Sequence, residues 1–333
     1  MIDFDINTVV VSSRVRIARN LESAMTFDAS ERRAFDTVAD TIVRRNKDFV
    51  AERVSALAPK MAKALFEQHL ISKELLENKV NSWIVARKDN KVCVMLGEED
   101  HIRIQSIHRG MELRRAFGDS KKIADDIAVE HRLAFRDDFG YLTSCPTNLG
   151  CGMRASVMIF LPALTMTNQI SDIVDMLRDE RITVRGVYGE GSEAGGYMYQ
   201  ISNQACLGMS EQSIIENVES IAIQIAKMEI ELQQKLFTDD PEWIIDQVYR
   251  SWGILTNVLM LATSEAVDHL AMLKLGACLG IIGLKNNRVL DDLFFTIQPA
   301  TMVTQDDRAA SVRERDKIRA AKIAQDLRAL RIK

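Results

Sequence analysis

The sequence predicts an α+β fold with a mainly antiparallel sheet, followed by an all-α region. Short β-branched runs alternate with helical stretches over the first two hundred residues, and their connections are too varied for regular βαβ repetition. After Ser210 the apolar residues recur at helical spacing. The 333 residues suffice for one large domain or two ordinary ones without disulfides or a structural metal.

Five β-branched runs are the predicted strands, and residues 88–91 between two of them predict a hairpin turn. The runs are residues 8–11, 82–86, 91–96, 156–160 and 181–187. Helical spacing predicts helices over 211–237, 264–284 and 305–332. Asp239, Asp240 and Pro241 supply a cap and a proline start for another helix.

Composition and charge exclude several classes of protein. An apolar fraction of 47% and a charged fraction of 27% exclude collagen-like and largely disordered chains. The acidic start has no targeting pattern, and the longest apolar run, 275–284, is about half of a membrane span. Five scattered cysteines without CxxC pairs favour the reducing cytoplasm over a zinc site.

The net charge of -4 gives no overall attraction to nucleic acid, and we expect no direct contact with nucleic acid or membrane. Residues 305–333 are locally basic, with nine Lys or Arg against five Asp or Glu.

The densest candidate site follows the first predicted strand, at residues 12–20. If the strand continues through it, Arg14 and Arg16 share one face while Val15 and Ile17 share the other. Two planar guanidinium groups match the oxygens of a polyphosphate. The alternative, a solvated edge strand with surface arginines, stays open on this motif alone.

A second candidate is the acidic segment that follows the strand at 91–96. Glu98, Glu99 and Asp100 precede His101 and Arg103. Carboxylates in a loop at a strand end suit a general base or a receptor for a cation. The alternative is an ordinary helical ion pair between Glu99 and Arg103.

Two turn-rich loops complete the set. Residues 144–154 contain Cys145 and end in Arg154, and residues 185–196 begin with Arg185 and include Glu190. A lone loop cysteine is more often a passive apolar residue than a reactive thiol, although nearby cations reverse that preference. Neither a P-loop nor a GxGxxG stands between strand and helix, so a phosphate cradle must be built from arginines.

Five arginines beside two carboxylate loops suit transfer of a phosphoryl group from ATP. The transition state of that reaction needs neutralised charge around the phosphates and a nucleophile held in line, and both are electrostatic tasks. The five are Arg14, Arg16, Arg103, Arg154 and Arg185.

These segments resemble the phosphagen (guanidino) kinases, and within them the bacterial protein-arginine kinases. SSRVRIARN, EEDHIRIQS, CPTNLGCGMRASV, VRGVYGEGSEA and ISNQ occur in that family's order, over about residues 9–232. The resemblance implies a glutamine-synthetase-like catalytic domain over 1–232, which binds Mg-ATP and phosphorylates a guanidinium nitrogen. A helical C-terminal domain would then cover 233–333.

The resemblance also implies roles for individual residues. Glu99 and Glu190 match the carboxylates that hold the substrate guanidinium, with Glu99 favoured as base, and Cys145 matches a thiolate that stabilises it electrostatically. Glu98 and Asp100 lie beside the base and either help through magnesium-bound water or, as we favour, are only solvated acids; no side chain is assigned to a resident metal. The nucleotide-binding residues would be Ser12, Ser13, Arg14, Val15, Arg16, His69, Arg103, Arg154, Ala155, Ser156, Val157, Met158, Arg185, Gly186, Val187, Tyr188, Gly189 and Glu190. For His69 the alternative of a purely structural histidine stays open.

Two departures discriminate between substrates. Small-molecule phosphagen kinases have a helical domain ahead of the SSRVR-like motif, whereas eleven residues precede Ser12 here, which favours an open site that admits arginine on a protein chain. The RDxxRA motif resembles the phosphoarginine-binding allosteric motif of the protein-arginine kinases, and its alternative is a charged helix face. The motif comprises Arg315, Asp316, Lys317, Ile318, Arg319 and Ala320.

The family resemblance implies a homodimer that acts in protein quality control and stress-repressor regulation, with an ATP-dependent protease and a zinc-binding activator protein as partners. Two alternatives stay open: a free-arginine kinase, and a non-catalytic adaptor that binds phosphoarginine.

Overall fold

The computed structural model describes residues 5–22, 29–77, 81–178, 180–187, 195–283, 288–328 and 331–332. Three of the predicted site residues, Tyr188, Gly189 and Glu190, lie outside these ranges. Within the described ranges, no helix is long and apolar enough to cross a bilayer.

An eight-stranded sheet forms the centre of the N-terminal region, and all its neighbouring strands are antiparallel, as predicted. Its strands are β1 (Val10–Arg19), β2 (Phe49–Arg53), β3 (Trp83–Arg87), β4 (Val92–Leu96), β5 (Ile102–Arg109), β8 (Met153–Phe160), β9 (Ile182–Gly186) and β10 (Met198–Asn203). Their spatial order is β2-β3-β4-β5-β1-β8-β10-β9. Two small pairs are β6 (Phe135–Arg136) with β7 (Gly140–Tyr141), and β11 (Ile282–Gly283) with β12 (Arg331–Ile332).

Helices surround the sheet and make up most of the C-terminal region. They are α1 (Ala29–Arg45), α2 (Pro59–Glu67), α3 (Lys73–Glu77), α4 (Leu113–Ala128), α5 (Pro162–Met166), α6 (Ile170–Arg178), α7 (Glu211–Asp239), α8 (Pro241–Asn257), α9 (Thr263–Cys278), α10 (Arg288–Thr296), α11 (Pro299–Gln305) and α12 (Val312–Leu327).

The two faces of the sheet have opposite chemistry because side chains alternate along each strand. Helices α4 and α7 cover one face. Val15 and Ile17 of β1 are fully buried in the core on that side. Arg14 and Arg16 alternate with them and therefore lie on the other face, so the predicted continuation of the strand through the arginine motif is confirmed.

The C-terminal helices enclose a second hydrophobic core that reaches into the sheet. Residues of α8, α9, α10 and α12 form most of it, and Val11, Phe160 and Met198 join them from β1, β8 and β10. The sheet and the C-terminal region therefore share a continuous packed interior.

The helix starts predicted at 211, 241 and 264 are confirmed to within one residue, whereas the start predicted at 305 and the end predicted at 284 are wrong. Asp240 caps α8 by accepting from the Trp243 amide at 3.0 Å. The predicted helix 264–284 ends at Cys278, because Gly280 is left-handed with φ 73° and the following chain turns back. The predicted helix 305–332 is replaced by α12, which begins where the Ser311 hydroxyl accepts from the Glu314 amide at 3.2 Å.

The predicted domain boundary at residue 232 lies inside α7, which continues to Asp239. The chain leaves the helical conformation at Asp240, whose φ of -145° is extended. A division of the chain after residue 232 therefore stays a prediction.

Candidate active site

The predicted arginines converge on the sheet face that α4 and α7 leave open. Arg16 of β1 is opposite Arg154 of β8 and Gln105 of β5, and directly opposed residues point to the same face. Residues two apart on a strand also share a face, so Arg14 and Arg103 belong to the same surface.

The fifth arginine joins this surface through the outer strands. Arg185 of β9 is opposite Gln200 of β10, which is opposite Met158 of β8. Met158 and Arg154 are four residues apart on one strand and therefore share the face. We call this surface, with Arg14, Arg16, Arg103, Arg154 and Arg185, the arginine face.

Neutral side chains hold two of these guanidinium groups in position. Arg14 Nη2 donates to Gln200 Oε1 at 2.9 Å. Arg154 Nη2 donates to the Ser202 hydroxyl at 2.9 Å. Because these partners carry no charge, they orient the arginines without neutralising them, which leaves the positive charge available to an anion.

A single described carboxylate pairs with the arginine face: Glu98, whose side chain is 2% exposed, forms an ion pair with Arg103. Arg16 is at the centre of the face, and its Nε is buried with no hydrogen-bond partner among the described residues. An unpaired buried donor costs free energy, so this atom is a suitable contact for a ligand oxygen.

Each arginine makes it more costly in free energy to keep its neighbours charged. Burial first, and then Arg103 and Arg154, lower the pKa of Arg14 to about 10. Burial first, and then the charges of Arg14, Arg103 and Arg154, hold the pKa of Arg16 well below its ordinary value. Burial, followed by Arg185 and Arg103, also lowers the pKa of Arg154. A bound polyanion would relieve this repulsion, so the face is built to receive one.

Only alternate members of the predicted nucleotide-binding segments place side chains on the arginine face. Ser12, Ser156 and Met158 do so. The side chains of Val15, Ala155 and Val157 lie in the core on the opposite face and are fully buried. The Ser13 hydroxyl instead donates to the Gly110 carbonyl at 2.8 Å. Of the segment at 185–190, the described residues are Arg185, which is exposed, Gly186 and Val187.

Glu99 lies in the bend between β4 and β5, and its side chain is exposed. Its two acidic neighbours, Glu98 and Asp100, are buried, so the expectation that they are solvated acids is wrong. The alternative of a helical ion pair between Glu99 and Arg103 is wrong as well, because the segment is a bend and Arg103 belongs to β5 and pairs with Glu98.

Asp100 joins the Glu99 bend to the loop that contains Cys145. Its Oδ1 accepts from the Ser144 amide at 2.6 Å, and its Oδ2 accepts from Asn148 Nδ2 at 2.7 Å. The two bonds lie on either side of Cys145, so the buried carboxylate fixes the loop relative to the bend.

The end of β1 strengthens the same junction. Asn20 Oδ1 accepts from the His101 amide at 2.8 Å, while Asn20 Nδ2 donates to the Ser144 hydroxyl at 3.2 Å. The Leu21 amide donates to His101 Nδ1 at 3.0 Å. The structure therefore brings together the segments that carry Glu99 and Cys145. The Cys145 side chain is half-buried, with Sγ 3.1 Å from the Thr147 hydroxyl.

A cavity of about 580 Å³ opens at the edge of the arginine face, within the size range of small-molecule sites. Five predicted nucleotide-binding residues line it: Ser12, Arg14, His69, Ser156 and Met158. Burial first, and then the charge of Arg14, lower the pKa of His69 to about 4, so the imidazole is neutral at pH 7. We call this space the His69 cavity.

The RDxxRA motif forms the start of α12. Arg319 is 1% exposed and donates from Nε to the Ile297 carbonyl at 3.1 Å and from Nη1 to the Leu261 carbonyl at 2.6 Å. Its Nη1 also contacts Asp316 Oδ1 at 2.6 Å. The alternative of an exposed charged face is therefore wrong for Arg319.

The other residues of the motif differ in exposure. Arg315 donates to the Ala310 carbonyl at 2.9 Å. Lys317 is exposed, Ile318 is half-buried and Ala320 is buried.

We expect Arg319→Ala to destabilise the protein by about 3 kcal/mol or more, because it leaves two buried carbonyl groups and Asp316 without their partner. Chemical unfolding measures this change. Lys317→Ala is the control, since it removes an exposed pair with Glu314 and is expected to shift stability by about 0.5 kcal/mol or less. Equal effects of the two substitutions would contradict the prediction.

A surface of five arginines beside an exposed carboxylate suits transfer of a phosphoryl group to a cationic acceptor, and comparison with known proteins agrees with that class. The model of the ATP:guanido phosphotransferase C-terminal catalytic domain matches residues 30–232. The chain therefore belongs to the ATP:guanido phosphotransferase family. The model of the protein-arginine kinase McsB C-terminal domain matches residues 241–333, which places the chain among the protein-arginine kinases of that family.

Full-length relatives agree with that placement. A protein named protein-arginine kinase from Bacillus subtilis (strain 168) is 38% identical over 331 residues, covering 96% of this chain and 90% of that protein. One of the same name from Caldanaerobacter subterraneus is 38% identical over 336 residues, covering 98% and 99%.

Solved structures share the fold. A lombricine kinase superposes with a TM-score of 0.60 at 24% identity, over 69% of this chain and 68% of that one. The duplicated taurocyamine kinase from Schistosoma mansoni gives a TM-score of 0.62 at 23% identity, over 74% of this chain. This chain spans 38% of the length of that duplicated protein.

Several site residues were not predicted from the sequence. Gln200 and Ser202, which orient the arginines, alternate along β10, so the period of two was a usable signal. Asp100 stands beside the predicted base, but nothing in the sequence pairs it with the loop at 144–148. Arg19 also tethers the Cys145 loop, with Nη1 donating to the Cys151 carbonyl at 3.0 Å.

We expect Asp100→Ala to lower kcat about 10- to 100-fold while leaving the KM for ATP within twofold, because a freed Cys145 loop no longer holds the reacting group in place. Steady-state kinetics with varied ATP measures both constants. Asp138→Ala is the control, since Asp138 is exposed in the nearby turn and pairs with Arg136. A rise in the KM for ATP without loss of kcat would contradict the assigned role.

Proposed function

We propose that this protein transfers the γ-phosphoryl group of ATP to the guanidinium group of arginine residues in proteins. The observation that carries the proposal is the arginine face, with five guanidinium groups on one surface and an electrostatic cost that a polyphosphate would relieve. The Glu99 bend beside it supplies an exposed carboxylate for a cationic acceptor. Membership of the ATP:guanido phosphotransferases supports ATP as the donor. The names of the full-length relatives support protein-bound arginine as the acceptor.

The proposed chemistry follows from the protonation of the acceptor guanidinium. A guanidinium with a pKa above about 12 is no nucleophile at pH 7 until a proton leaves. Glu99 accepts that proton as the guanidinium nitrogen attacks; the N–P bond forms while the bond between the γ-phosphorus and the bridging oxygen of ADP breaks. Glu190 is the second carboxylate that binds the substrate guanidinium. Cys145 helps to position the same guanidinium electrostatically.

The arginine face stabilises the phosphates during transfer. Arg14, Arg16, Arg103, Arg154 and Arg185 neutralise the charge that spreads over the phosphoryl oxygens. Mg²⁺ would enter with ATP, held by phosphate oxygens and water, since Mg²⁺ rarely occupies an all-protein cage. Within the described ranges, no three His, Cys, Asp or Glu side chains are grouped closely enough to hold a metal ion.

We also propose that the protein works as a cytoplasmic homodimer in quality control and stress regulation, with a protease and an activator as partners. Trp243, Leu259 and Met260 support a dimer, because they expose large apolar side chains on and just after α8. The RDxxRA motif would bind phosphoarginine as an allosteric ligand. The buried contacts of Arg319 support a route from that motif to the packing of the C-terminal region.

The test incubates the purified protein with Mg-ATP and an unfolded, arginine-rich protein. Mass spectrometry under conditions that preserve the acid-labile N–P bond should find phosphoarginine on the substrate. The same substrate with its arginines replaced by lysines is the matched control and should stay unmodified. Phosphate on serine or threonine alone would overturn the proposal.

Two further arms address the alternatives. Faster ATP turnover with free arginine than with the protein substrate would favour a free-arginine kinase. Binding of a phosphoarginine peptide without any phosphoryl transfer would favour the non-catalytic adaptor.

A further inference from the structure

The His69 cavity has a wall that belongs to the C-terminal region. Three residues of α10, Asp291, Asp292 and Phe295, line it opposite the sheet. Asp292 forms an ion pair with Arg109 at the end of β5. The cavity that carries the nucleotide-binding candidates is therefore completed by a helix outside the segment that matches the catalytic domain.

Phe295 contacts the predicted nucleotide-binding histidine. The ring of Phe295 lies 6.2 Å from that of His69, at an interplanar angle of 88°, which is an edge-to-face arrangement. The backbone of His69 is left-handed, with φ 58°, and Gln105 Nε2 donates to its carbonyl at 2.7 Å. Gln105 fixes the backbone from the arginine face, and Phe295 constrains the ring from α10.

The carboxylate of Glu67, the last residue of α2, holds the start of α11 in place. Glu67 accepts from the Ala300 amide at 2.8 Å and from the Thr301 amide at 2.7 Å, at the start of α11. The Thr301 hydroxyl donates to the same carboxylate at 3.1 Å. Two residues separate α10 from α11, and Glu67 is two residues before His69. The end of α2 and the two residues after it therefore carry both the carboxylate that holds α11 and the histidine that faces α10.

We propose that α10 and α11 form a wall of the ATP pocket and that Phe295 is a positioning residue, which sets the His69 ring for the nucleotide. ATP binding is then coupled to docking of α10–α11 on α2. The inference rests on the proposed function, because it takes the His69 cavity as the nucleotide site. The coupling is reciprocal: if docking of α10–α11 on α2 strengthens ATP binding, then ATP binding stabilises that docking by the same free energy.

The first measurement is hydrogen exchange of the wild-type protein with and without a non-hydrolysable ATP analogue. We expect the analogue to slow exchange in residues 288–305 as well as in 12–16 and 154–158. Slower exchange in 12–16 and 154–158 but not in 288–305 would overturn this inference and leave the proposed function intact. No slowing anywhere would overturn the proposed nucleotide site, and the inference with it.

The second measurement is kinetic. Phe295→Leu and Glu67→Gln should each raise the KM for ATP about tenfold with kcat within twofold, because they weaken binding of the nucleotide without touching the reacting atoms. Phe295 is half-buried, so leucine keeps most of its packing.

The matched control is Lys60→Ala. It removes an exposed pair with Asp307, 2.7 Å apart, between the same helix α2 and the same C-terminal region, and it should leave the KM for ATP unchanged. An unchanged KM in both Phe295→Leu and Glu67→Gln would overturn the proposal, as would an equal rise in Lys60→Ala.

Discussion

Glu99→Gln is expected to lower kcat about 10²- to 10⁴-fold, the usual contribution of a general base. Glutamine keeps the size of the side chain and its acceptor oxygen, but it cannot take the proton that the guanidinium must lose. Glu99 is exposed, so the unfolding midpoint should not change. The measurement is the rate of phosphoarginine formation at saturating Mg-ATP.

Two further substitutions sharpen the test of Glu99. Glu52→Gln changes an exposed carboxylate on the edge strand β2 and should leave the rate unchanged. Glu98→Gln should lower stability as well as activity, because it removes the buried partner of Arg103. A Glu99→Gln protein with more than about a tenth of wild-type kcat would place the base elsewhere, with Glu190 as the next residue to replace.

Arg16→Met is expected to change activity and stability in opposite directions. The substitution removes a central cation that stabilises the negative charge on the phosphoryl group in the transition state. Comparable arginines contribute about 10³-fold or more to kcat, so a loss of that size is expected. The folded protein, in contrast, loses a cation that burial and neighbouring arginines make costly, so its stability should rise by about 1 kcal/mol or more. Steady-state kinetics and chemical unfolding measure the two effects.

Arg114→Met is the control for this trade-off. Arg114 is exposed on α4 and pairs with Glu219, so its loss should change neither quantity appreciably. A less stable Arg16→Met protein would contradict the assigned repulsion within the arginine face, whatever its activity.

The arginine face could be predicted because its signal is local. Alternation along β1 places Arg14 and Arg16 on one side, and a strand of ten residues realises that pattern. The antiparallel sheet followed from short runs with varied connections. The strand order brings Arg154 of β8 beside Arg16. That order depends on contacts between distant segments, so no local sequence pattern predicts it.

The unpredicted parts of the site depend on contacts between distant segments. Glu98 and Asp100 have the same local sequence character as Glu99, yet only the fold decides that the first two are buried and the third exposed. Phe295 carries no signal at all, because an aromatic residue on an amphipathic helix is ordinary core material. The end of α9 was missed because the apolar run at 275–284 continues past Gly280, and the start of α12 was missed because the charged segment that predicted it begins before Ser311.

Val11, Phe160 and Met198 have a consequence for how the protein can be divided. These side chains belong to sheet strands but are buried in the core of the C-terminal region. A fragment cut at Asp240 would expose them to water and become prone to aggregation. Heating should therefore melt the sheet and the C-terminal helices in one calorimetric transition, since separating them exposes the core that both of them build.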